Sequence, residues 1–353
     1  MKKILFIDNQ QFGYLTDSYK YCEILRREYE ITYLCFDKGF KKIELDGIKL
    51  KYISYSGNKT VRGIRFIFKA IVEAAFFNGF IFVIYFEKFN LIKRLLPWKK
   101  MHIDIRTLCV ARDEKKREKK DNNIKRAVKL FDTASAISQG VIDKIGLNKN
   151  IYLLPLGADV ISRSNKTFNN LRLLYVGTLY NRDIIKTVIG FKKYIDLYPD
   201  IDIKYTIVGD GEEYEDILKY ISEEKLDELI TCKGRVPHDQ LGQYFDNCNI
   251  GVSFVPITDY YENQPPTKTF EYAFSGMFTI ATGTGANREI INSQNGYIIN
   301  DSPESFVEAL EYIQTNRQLF DSDVIRESVK DYSWQNIVNK FLIPIIEKRV
   351  HVN

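Results

Sequence analysis

The residues best suited to chemistry lie in the segment 262–276, where two prolines precede a short run of helix-forming residues. The prolines end any preceding helix, so the sequence predicts a new helix with Thr267 as its N-cap and Gly276 as its stop. Lys268 and Glu271 are three residues apart and share one helical face. A helix N-terminus favours a phosphate, Lys268 adds a positive charge, and Glu271 could accept hydrogen bonds from ribose hydroxyls. A surface ion pair on a capped helix would show the same pattern.

Three other loops follow strand-like runs and carry glycines or cations. Gly177 ends one run and leads to Arg182, whose planar fork of donors suits a diphosphate. Gly209 and Asp210 belong to a Gly-Asp-Gly turn that either approaches a flat ligand or simply reverses the chain. The loop at 235–236 could read a nucleobase edge through its main chain. Doubly wound sheets bind ligands at the carboxyl ends of their strands, where these loops are expected.

The elements that must position these loops repeat in the two halves of the chain. Each half opens with a β-rich run, a polar loop and an amphipathic helix, at 18–29 and 184–198. The predicted strands are 3–8, 31–36, 80–86, 101–105, 171–177, 205–208, 230–233, 250–254 and 278–281. Apolar strands alternating with helices are typical of parallel, doubly wound sheets. The sequence therefore predicts two α/β domains in succession.

Composition and cysteine spacing favour a packed protein without a transmembrane helix or a zinc site. A chain of 353 residues with 45% apolar and 27% charged residues is expected to form about two packed domains. The uncharged stretch within 74–86 is too short for a transmembrane helix of about 20 residues, and the start of the chain does not resemble a signal peptide. Five scattered cysteines and three histidines predict reduced cytosolic thiols and no zinc site.

In this order, the motifs of the second half resemble the donor domain of the retaining GT-B glycosyltransferases, the large family four group also called glycosyl transferases group 1. The resemblance covers 171–347 and includes the loops described above, the turn at 295–297 and the sequence Asp-Tyr-Ser-Trp at 331–334. The first half matches through 132–138 and 154–159.

The resemblance implies a GT-B fold, in which two Rossmann-like, doubly wound parallel-sheet domains face an interdomain cleft. An acceptor-binding domain is then expected at 1–160 and a donor-binding domain at 161–332. A helical segment at 333–353 is expected to cross back to the first domain.

The resemblance also implies roles for individual residues. Arg182 and Lys268 would bind the diphosphate of a nucleotide-sugar and act catalytically. The implied donor-binding residues are Gly177, Gly209, Asp210, Arg235, Val236, Asn263, Thr267 and Glu271. Two of the departures from the family pattern lie in the second half: Thr178 stands where an arginine usually follows the Val-Gly pair, and Asn263 stands where a glutamate often holds the sugar.

The reaction implied by the family is transfer of a sugar, with retention, from a UDP-sugar or alternatively a GDP-sugar. The acceptor would be a glycan or a lipid-linked oligosaccharide in bacterial surface-polysaccharide synthesis of the capsule or O-antigen type. Breaking the sugar–phosphate bond builds negative charge on the departing diphosphate, which preorganised cations and helix-end amides stabilise. No glycosidase-type carboxylate pair and no metal motif stand out, so we expect metal-independent transfer without a cofactor.

The two halves differ in charge. Residues 1–160 contain 31 Lys and Arg against 18 Asp and Glu, a net charge of +13, whereas residues 161–353 have a net charge of −8. The first half is therefore expected to meet an anionic partner. Its segment 62–100 interleaves eight Lys and Arg with many aromatic residues, which suits peripheral docking on anionic lipid. The tract at 112–129 is interpreted as a mixed-charge helix or a solvated loop.

Membrane contacts are predicted at Arg62, Arg65, Lys69, Lys93 and Arg94, and the protein is expected in the cytoplasm, peripheral to the inner face of the plasma membrane. A buried strand at 80–86 with covering helices is the alternative explanation of the apolar residues. Asp104 and Arg106, on or just after the strand at 101–105, could reach the cleft, and Asp104 is the candidate acceptor-side base.

Three other functions were weighed against glycosyl transfer. A nicotinamide dehydrogenase would need Gly-x-Gly-x-x-Gly after the first strand, and the sequence there lacks it. A sugar-nucleotide epimerase of the same fold would need no acceptor. A nucleic-acid-binding protein would use the basic half and show steep salt dependence, but we expect no nucleic-acid partner.

Overall fold

The computed structural model describes residues 2–147 and 150–350, with side chains up to Lys348. The chain divides into two compact units. The N-terminal unit contains the chain up to Leu156 together with the residues from Trp334 onward, and the C-terminal unit is Gly157–Ser333.

The N-terminal unit is built on a seven-stranded sheet in which all pairs of neighbouring strands are parallel. Its strands are β1 Lys2–Ile7, β2 Tyr29–Asp37, β3 Ile48–Ser54, β4 Phe80–Ile84, β5 His102–Ile105, β6 Thr133–Ala136 and β7 Ile151–Leu153. Its helices are α1 Thr16–Leu25, α2 Lys59–Phe76, α3 Asn90–Leu95, α4 Glu114–Leu130 and α5 Gln139–Ile145. The strand order is β3-β2-β1-β4-β5-β6-β7.

The C-terminal unit has a six-stranded parallel sheet in the order β10-β9-β8-β11-β12-β13. Its strands are β8 Leu171–Val176, β9 Ile203–Val208, β10 Ile230–Cys232, β11 Ile250–Ser253, β12 Phe278–Thr282 and β13 Gly296–Ile299. Its helices are α6 Ile185–Leu197, α7 Tyr214–Glu223, α8 Gly242–Asn247, α9 Thr267–Phe274, α10 Gly285–Arg288, α11 Pro303–Asn316 and α12 Ser322–Glu327. Short 3₁₀ turns occur at His238–Gln240, Arg317–Leu319 and Lys330–Tyr332.

Each sheet reverses its strand order once. The reversal lies between β1 and β4 in the N-terminal unit and between β8 and β11 in the C-terminal unit. Connections that leave two adjacent strands in opposite directions open a crevice between the loops at their carboxyl ends, which is where doubly wound folds bind ligands. The loops after β8 and β11, and those after β1 and β4, are therefore the places to look for a site.

The chain from Trp334 onward is helical, with α13 Trp334–Ile337, a π-helical turn Val338–Leu342 and α14 Ile343–Val350. The Trp334 ring packs edge-on against Tyr21 of α1, with ring centroids 5.9 Å apart. Lys2 of β1 forms an ion pair with Glu347 of α14 at 3.5 Å. These contacts group the last helices with the N-terminal unit.

The prediction of two doubly wound parallel sheets is confirmed. Continuous apolar runs become the central strands because both faces of such strands are buried; all five residues of β4 are buried, for example. The sequence reasoning missed β3, β6, β7 and β13. Strand β3 lies at the sheet edge with one of its seven residues buried. Its lysines interrupt the apolar run that would have predicted a strand. In the described part of the chain, no helix is both long and apolar enough to cross a membrane.

Candidate active site

Helix α9 begins directly after a proline at the carboxyl side of β11. Pro266 has extended backbone angles and occupies the N-cap position, so Thr267 is the first helical residue and not the cap that the sequence predicted. The proline fixes this boundary because its ring already holds the φ angle that a helix entry needs. The predicted stop is present: Ser275 is the C-cap, and Gly276 follows with a left-handed φ of 72°.

Buried hydroxyl and amide groups hold the start of α9 in place. Ser253, the last residue of β11, shares a hydrogen bond of 2.6 Å with the hydroxyl of Thr269. Thr269 donates to Asn287 Oδ1 at 2.9 Å, and the Asn287 amide donates to the carbonyl of Thr282 at 2.9 Å. The network joins two adjacent strand ends to one turn of α9, so the first N–H groups of the helix have a fixed direction.

Lys268 extends from this turn over an aromatic ring. Its Nζ lies 3.7 Å from the centroid of Tyr175, and that ring is fixed by a hydrogen bond from its hydroxyl to the carbonyl of Thr178 at 2.7 Å. Nζ is buried and has no hydrogen-bond partner among the described residues. A Cβ atom at Gly177 would lie 2.7 Å from Nζ, so the glycine leaves the space that the ammonium group occupies. Lys268 therefore holds donors that remain available to a ligand.

Arg182 provides a second cation at the same carboxyl end of the sheet, in the loop after β8. Its guanidinium lies over the ring of Tyr261 at 4.4 Å, and its Nη1 is buried without a hydrogen-bond partner in the described part of the chain. The hydroxyl of Tyr261 donates to the carbonyl of Asn181 at 3.1 Å, which ties the ring to the loop that carries the arginine. Aromatic rings thus support both cations and leave polar atoms unpaired.

Glu213 holds the loop of Arg182 in its observed conformation. Its Oε1 accepts hydrogen bonds from the backbone N–H groups of Arg182 and Asp183 at 2.8 Å each, and its Oε2 accepts one from Ile184 at 2.6 Å. Asn181 and Asp183 adopt left-handed backbone angles, which these residue types tolerate. Sequence reasoning missed Glu213 because it lies about thirty positions from the loop it binds, just before α7.

Burial and neighbouring charges shift the pKa values of Lys268 and Glu271. Burial lowers the pKa of Lys268 well below its usual value, and the positive charge of Arg182 lowers it further. Burial raises the pKa of Glu271 to about 7, against the influence of Lys268, and the negative charge of Asp159 raises it too. Two cations that disfavour each other in a partly buried site are stabilised together by an anion placed between them.

Glycines let the carboxyl ends of β8, β9 and β10 approach closely. The Gly177 N–H donates to Val208 at 3.0 Å, and the Gly209 N–H donates to the Gly234 carbonyl at 2.8 Å. A Cβ atom at Gly209 would lie only 1.8 Å from the Gly177 carbonyl oxygen, a separation that excludes any side chain. Both predicted glycines therefore have a clear packing role, and their contact with a nucleotide stays a prediction.

The remaining predicted donor-side residues lie around this edge. Asp210 is exposed and accepts a hydrogen bond from the N–H of Gly211 at 2.8 Å. Arg235 is exposed, and Val236 is partly buried and packs against a buried apolar cluster that includes Leu174 and Val208. Asn263 and Thr267 are half-buried, as are Lys268 and Glu271.

Glu262 has a different environment from its neighbour Asn263. Its carbonyl accepts a hydrogen bond from Ala286 at 2.9 Å, and a Cβ atom at Gly285 would lie 2.8 Å from its Oε1. The Glu262 side chain therefore lies against the start of α10.

On the N-terminal unit, the structure contradicts the prediction that Asp104 is an acceptor-side base. Asp104 is 0% exposed. Its Oδ1 accepts a hydrogen bond of 2.5 Å from Ser135, whose hydroxyl also contacts His102 at 2.9 Å. Burial raises the pKa of Asp104 to about 6. A general base must come within hydrogen-bond distance of the acceptor hydroxyl, and this carboxylate is fully buried against Ser135 of β6.

Two further predicted residues are engaged within the N-terminal unit: Arg106, which was predicted to reach the cleft, and Lys93, which was predicted to contact the membrane. Arg106 forms a nearly buried ion pair with Asp17 at 2.5 Å and donates to the carbonyl of Leu154 at 2.8 Å. The prediction of a membrane contact at Lys93 is wrong, because this lysine is only 6% exposed. Its Nζ donates to the carbonyl of Lys99 at 2.6 Å and to Asp132 at 2.9 Å, so it closes the turn after α3.

The other four predicted membrane residues lie nearer the surface. Lys69 and Arg94 are exposed. Arg62 stacks on the ring of Tyr55 at 4.0 Å. Arg65 donates to the carbonyl of Ser54 at 2.9 Å, which ties α2 to the end of β3.

One family model matches the part of the chain that contains this site. Residues 170–316 match the family model described as glycosyl transferases group 1. The matched residues make up most of the C-terminal unit. A search of curated protein sequences gave no significant match. The match contains the Arg182 loop, the glycine-rich strand edge and α9, so the two unpaired cations belong to the part of the chain that defines the family.

Solved structures identify the fold of the whole chain. It is similar to sucrose-phosphate synthase from Thermosynechococcus elongatus, with a TM-score of 0.79, 14% identity and 100% of both chains covered. It is also similar to Anabaena HepE in complex with UDP and glucose, with a TM-score of 0.75, 13% identity, and 99% of this chain and 100% of HepE covered. It is similar as well to the apo form of the lipopolysaccharide outer core galactosyltransferase WaaB. The TM-score is 0.69 and the identity 15%, with 97% of this chain and 99% of WaaB covered. The whole chain therefore has the GT-B fold.

Proposed function

We propose that this protein is a glycosyltransferase that transfers a sugar, with retention of configuration, from a nucleoside-diphosphate sugar to a glycan or lipid-linked oligosaccharide. The observation that carries the proposal is the pair of buried donors on Lys268 and Arg182 at the strand-order reversal of the C-terminal unit. A UDP-sugar is favoured over a GDP-sugar, which is supported by the UDP bound to structurally similar HepE.

The proposed reaction uses these groups to stabilise the leaving diphosphate. As the sugar–phosphate bond breaks, negative charge grows on the diphosphate oxygens. Lys268, Arg182 and the first N–H groups of α9 are already oriented, so they stabilise this charge without reorganisation. An anion beside Lys268 also favours its protonated form, which offsets the effect of burial on its pKa. Glu271 is proposed to bind the ribose hydroxyls.

The donor assignment is tested by thermal-shift measurements with a panel of UDP- and GDP-sugars. A bound donor raises the apparent stability by mass action, and the nucleotide that produces the larger shift is the substrate class. Lys268→Ala and Arg182→Ala are each expected to abolish the shift or the turnover. Lys204→Ala, an exposed lysine of β9, is the control and should behave as wild type. Wild-type rates in both site variants would refute the diphosphate assignment.

Product analysis tests the reaction itself. Proton NMR of the new glycosidic linkage distinguishes retention from inversion. Incubation with donor alone separates the proposal from an epimerase, because an epimerase would convert the donor without any acceptor. Activity is proposed to need no metal ion, since side-chain cations and helix amides supply the positive charge. Loss of turnover in EDTA that added Mg²⁺ restores would show otherwise.

We propose surface-polysaccharide synthesis at the cytoplasmic face of the membrane as the setting. Support comes from the exposed cations Lys69 and Arg94 and from exposed apolar side chains on the same helices. Sedimentation with phosphatidylglycerol vesicles is the test. Binding that is absent at low salt would refute a peripheral membrane location.

A further inference from the structure

Two cavities of the N-terminal unit meet at the loop that follows β4. One is an apolar groove of about 600 Å³ between α2 and the loop, and the other is a lysine-lined pocket of about 450 Å³ between the loop and α4. Glu87 and Lys88 line both. Volumes of roughly 300–1,000 Å³ are typical of small-molecule sites.

The position of the cavities in the fold favours a ligand. Strands β1 and β4 flank the reversal of strand order in this sheet. Asn9, just after β1, and Phe86, just after β4, both line the apolar groove. The groove therefore opens at the crevice where a doubly wound sheet binds ligands.

The floor of the groove is rigid and its wall is apolar. Phe66 packs against Phe36 with ring centroids 4.5 Å apart and against Phe86 at 5.3 Å. Ile64 and Phe68, on the same side of α2, line the groove and are 66% and 62% exposed. Large apolar side chains left at the surface around a concave floor mark a site for an apolar ligand.

The adjoining pocket carries the charge. Lys88 of the loop and Lys116, Lys119 and Lys120 of α4 line it. The acidic residue of the lining, Glu87, forms an ion pair with Lys120 at 3.5 Å, which leaves an excess of positive charge. The tract that the sequence presented as a solvated mixed-charge helix is thus one wall of a cationic pocket.

We propose that the two cavities together bind one lipid diphosphate, with its single hydrocarbon chain in the groove and its diphosphate among the lysines. The proposal rests on the proposed function in one respect, that this lipid carries the acceptor glycan. A concave groove beside a cationic pocket matches one amphiphile with a charged end and one chain. A bilayer surface presents many headgroups and no single chain to fill the groove.

The test measures binding of farnesyl diphosphate to the full chain in the absence of nucleotide-sugar. Phe68→Ser should weaken binding roughly tenfold or more, because it removes a large apolar contact with the chain. Phe76→Ser is its matched control, since Phe76 lies on the same helix, is 87% exposed and lines neither cavity. The control should bind like wild type.

A second pair of variants tests the charged pocket. Replacing Lys116 and Lys119 with alanine should weaken binding roughly tenfold or more, because two phosphate contacts are lost. Replacing Lys115 and Lys129, on the same helix but outside the pocket, removes the same charge and should have little effect. Equal losses in both pairs would show a diffuse electrostatic effect and overturn the proposal.

Other ligands distinguish the sources of phosphate. Inorganic diphosphate that binds as tightly as farnesyl diphosphate would show a simple anion site, and binding to phosphatidylglycerol vesicles alone would show a membrane surface; either overturns the proposal. Farnesyl diphosphate should still bind Lys268→Ala, which excludes the donor site as its location. UDP binding measured in the Phe68→Ser protein should be unchanged, so failure of this proposal and failure of the donor assignment are separable.

Discussion

Lys268→Met should make the C-terminal unit more stable and at the same time less able to bind UDP. Methionine has nearly the shape of lysine without its charge. In the wild-type protein the Lys268 ammonium is buried without a hydrogen-bond partner among the described residues and close to the charge of Arg182. Leaving such a donor unsatisfied costs about 1–3 kcal/mol.

One wild-type contact acts in the opposite direction. The position of Nζ 3.7 Å above the Tyr175 ring contributes up to about 2 kcal/mol when the amine is charged. The depressed pKa of Lys268 reduces that contribution, because the neutral amine lacks the interaction. We therefore expect a net gain of about 1 kcal/mol in the free energy of unfolding, or about 2–4 °C in Tm for a unit of this size.

Binding should change in the other direction. Loss of a charge-assisted hydrogen bond to a diphosphate costs about 1.5–3 kcal/mol, which lowers the affinity for UDP roughly ten- to hundredfold. Thermal unfolding with and without UDP measures both effects in one experiment. Lys204→Met serves as the control, and both of its values should match wild type because Lys204 is exposed on β9.

We expect Lys268→Met to have a higher Tm than wild type without UDP and a smaller Tm shift when UDP is added. A Lys268→Met protein that is less stable than wild type would mean that the lysine is a structural residue. An unchanged shift with UDP would mean that the diphosphate binds elsewhere.

Three further outcomes follow from the structure. Glu213→Gln keeps one carbonyl oxygen for three backbone donors, so it should loosen the Arg182 loop, weaken UDP binding measured by calorimetry and cost about 1–3 kcal/mol in urea unfolding. Lys93→Met should cost about 2–3 kcal/mol, because Asp132 loses its buried cation, and should leave vesicle binding unchanged if Lys93 is structural. Because the folded pKa of Glu271 is raised from 4.5 to about 7, its contribution to stability is present below about pH 4.5 and is lost as the pH rises to about 7. Glu271→Gln should remove that part of the slope in a pH series of urea midpoints, and an unchanged slope would contradict the burial of the carboxylate.

Local sequence patterns determined most of the fold. Continuous apolar runs such as Phe80–Ile84 can be satisfied only where both faces of a strand are covered, so they predicted central parallel strands. The short helix α9 was predicted from the prolines before it and the glycine after it. Proline restricts the backbone and glycine frees it, and both effects are local. Its first residue was misassigned by one position, since Pro266 itself serves as the cap.

Strand β3, at the edge of its sheet, escaped prediction for a physical reason. Strand β3 has a neighbouring strand on one side only, namely β2, and most of its residues are half-buried. Lysines can therefore alternate with its apolar residues. All seven of its residues pair with β2, and this pairing requires no continuous apolar run that would reveal the strand in the sequence.

Long-range contacts decided the site. The sequence named Lys268 and Arg182 through residue type and motif order, but it contained no sign of Tyr175, Tyr261 or Glu213 as their supports. It also presented Lys93 and Asp104 as accessible groups. In the structure Lys93 is buried in the turn after α3, and Asp104 is buried on β5. Residue type and spacing specify what a side chain can do. Whether it faces solvent, a ligand or a neighbouring carbonyl depends on segments far away in the chain, and only the folded structure brings those segments together.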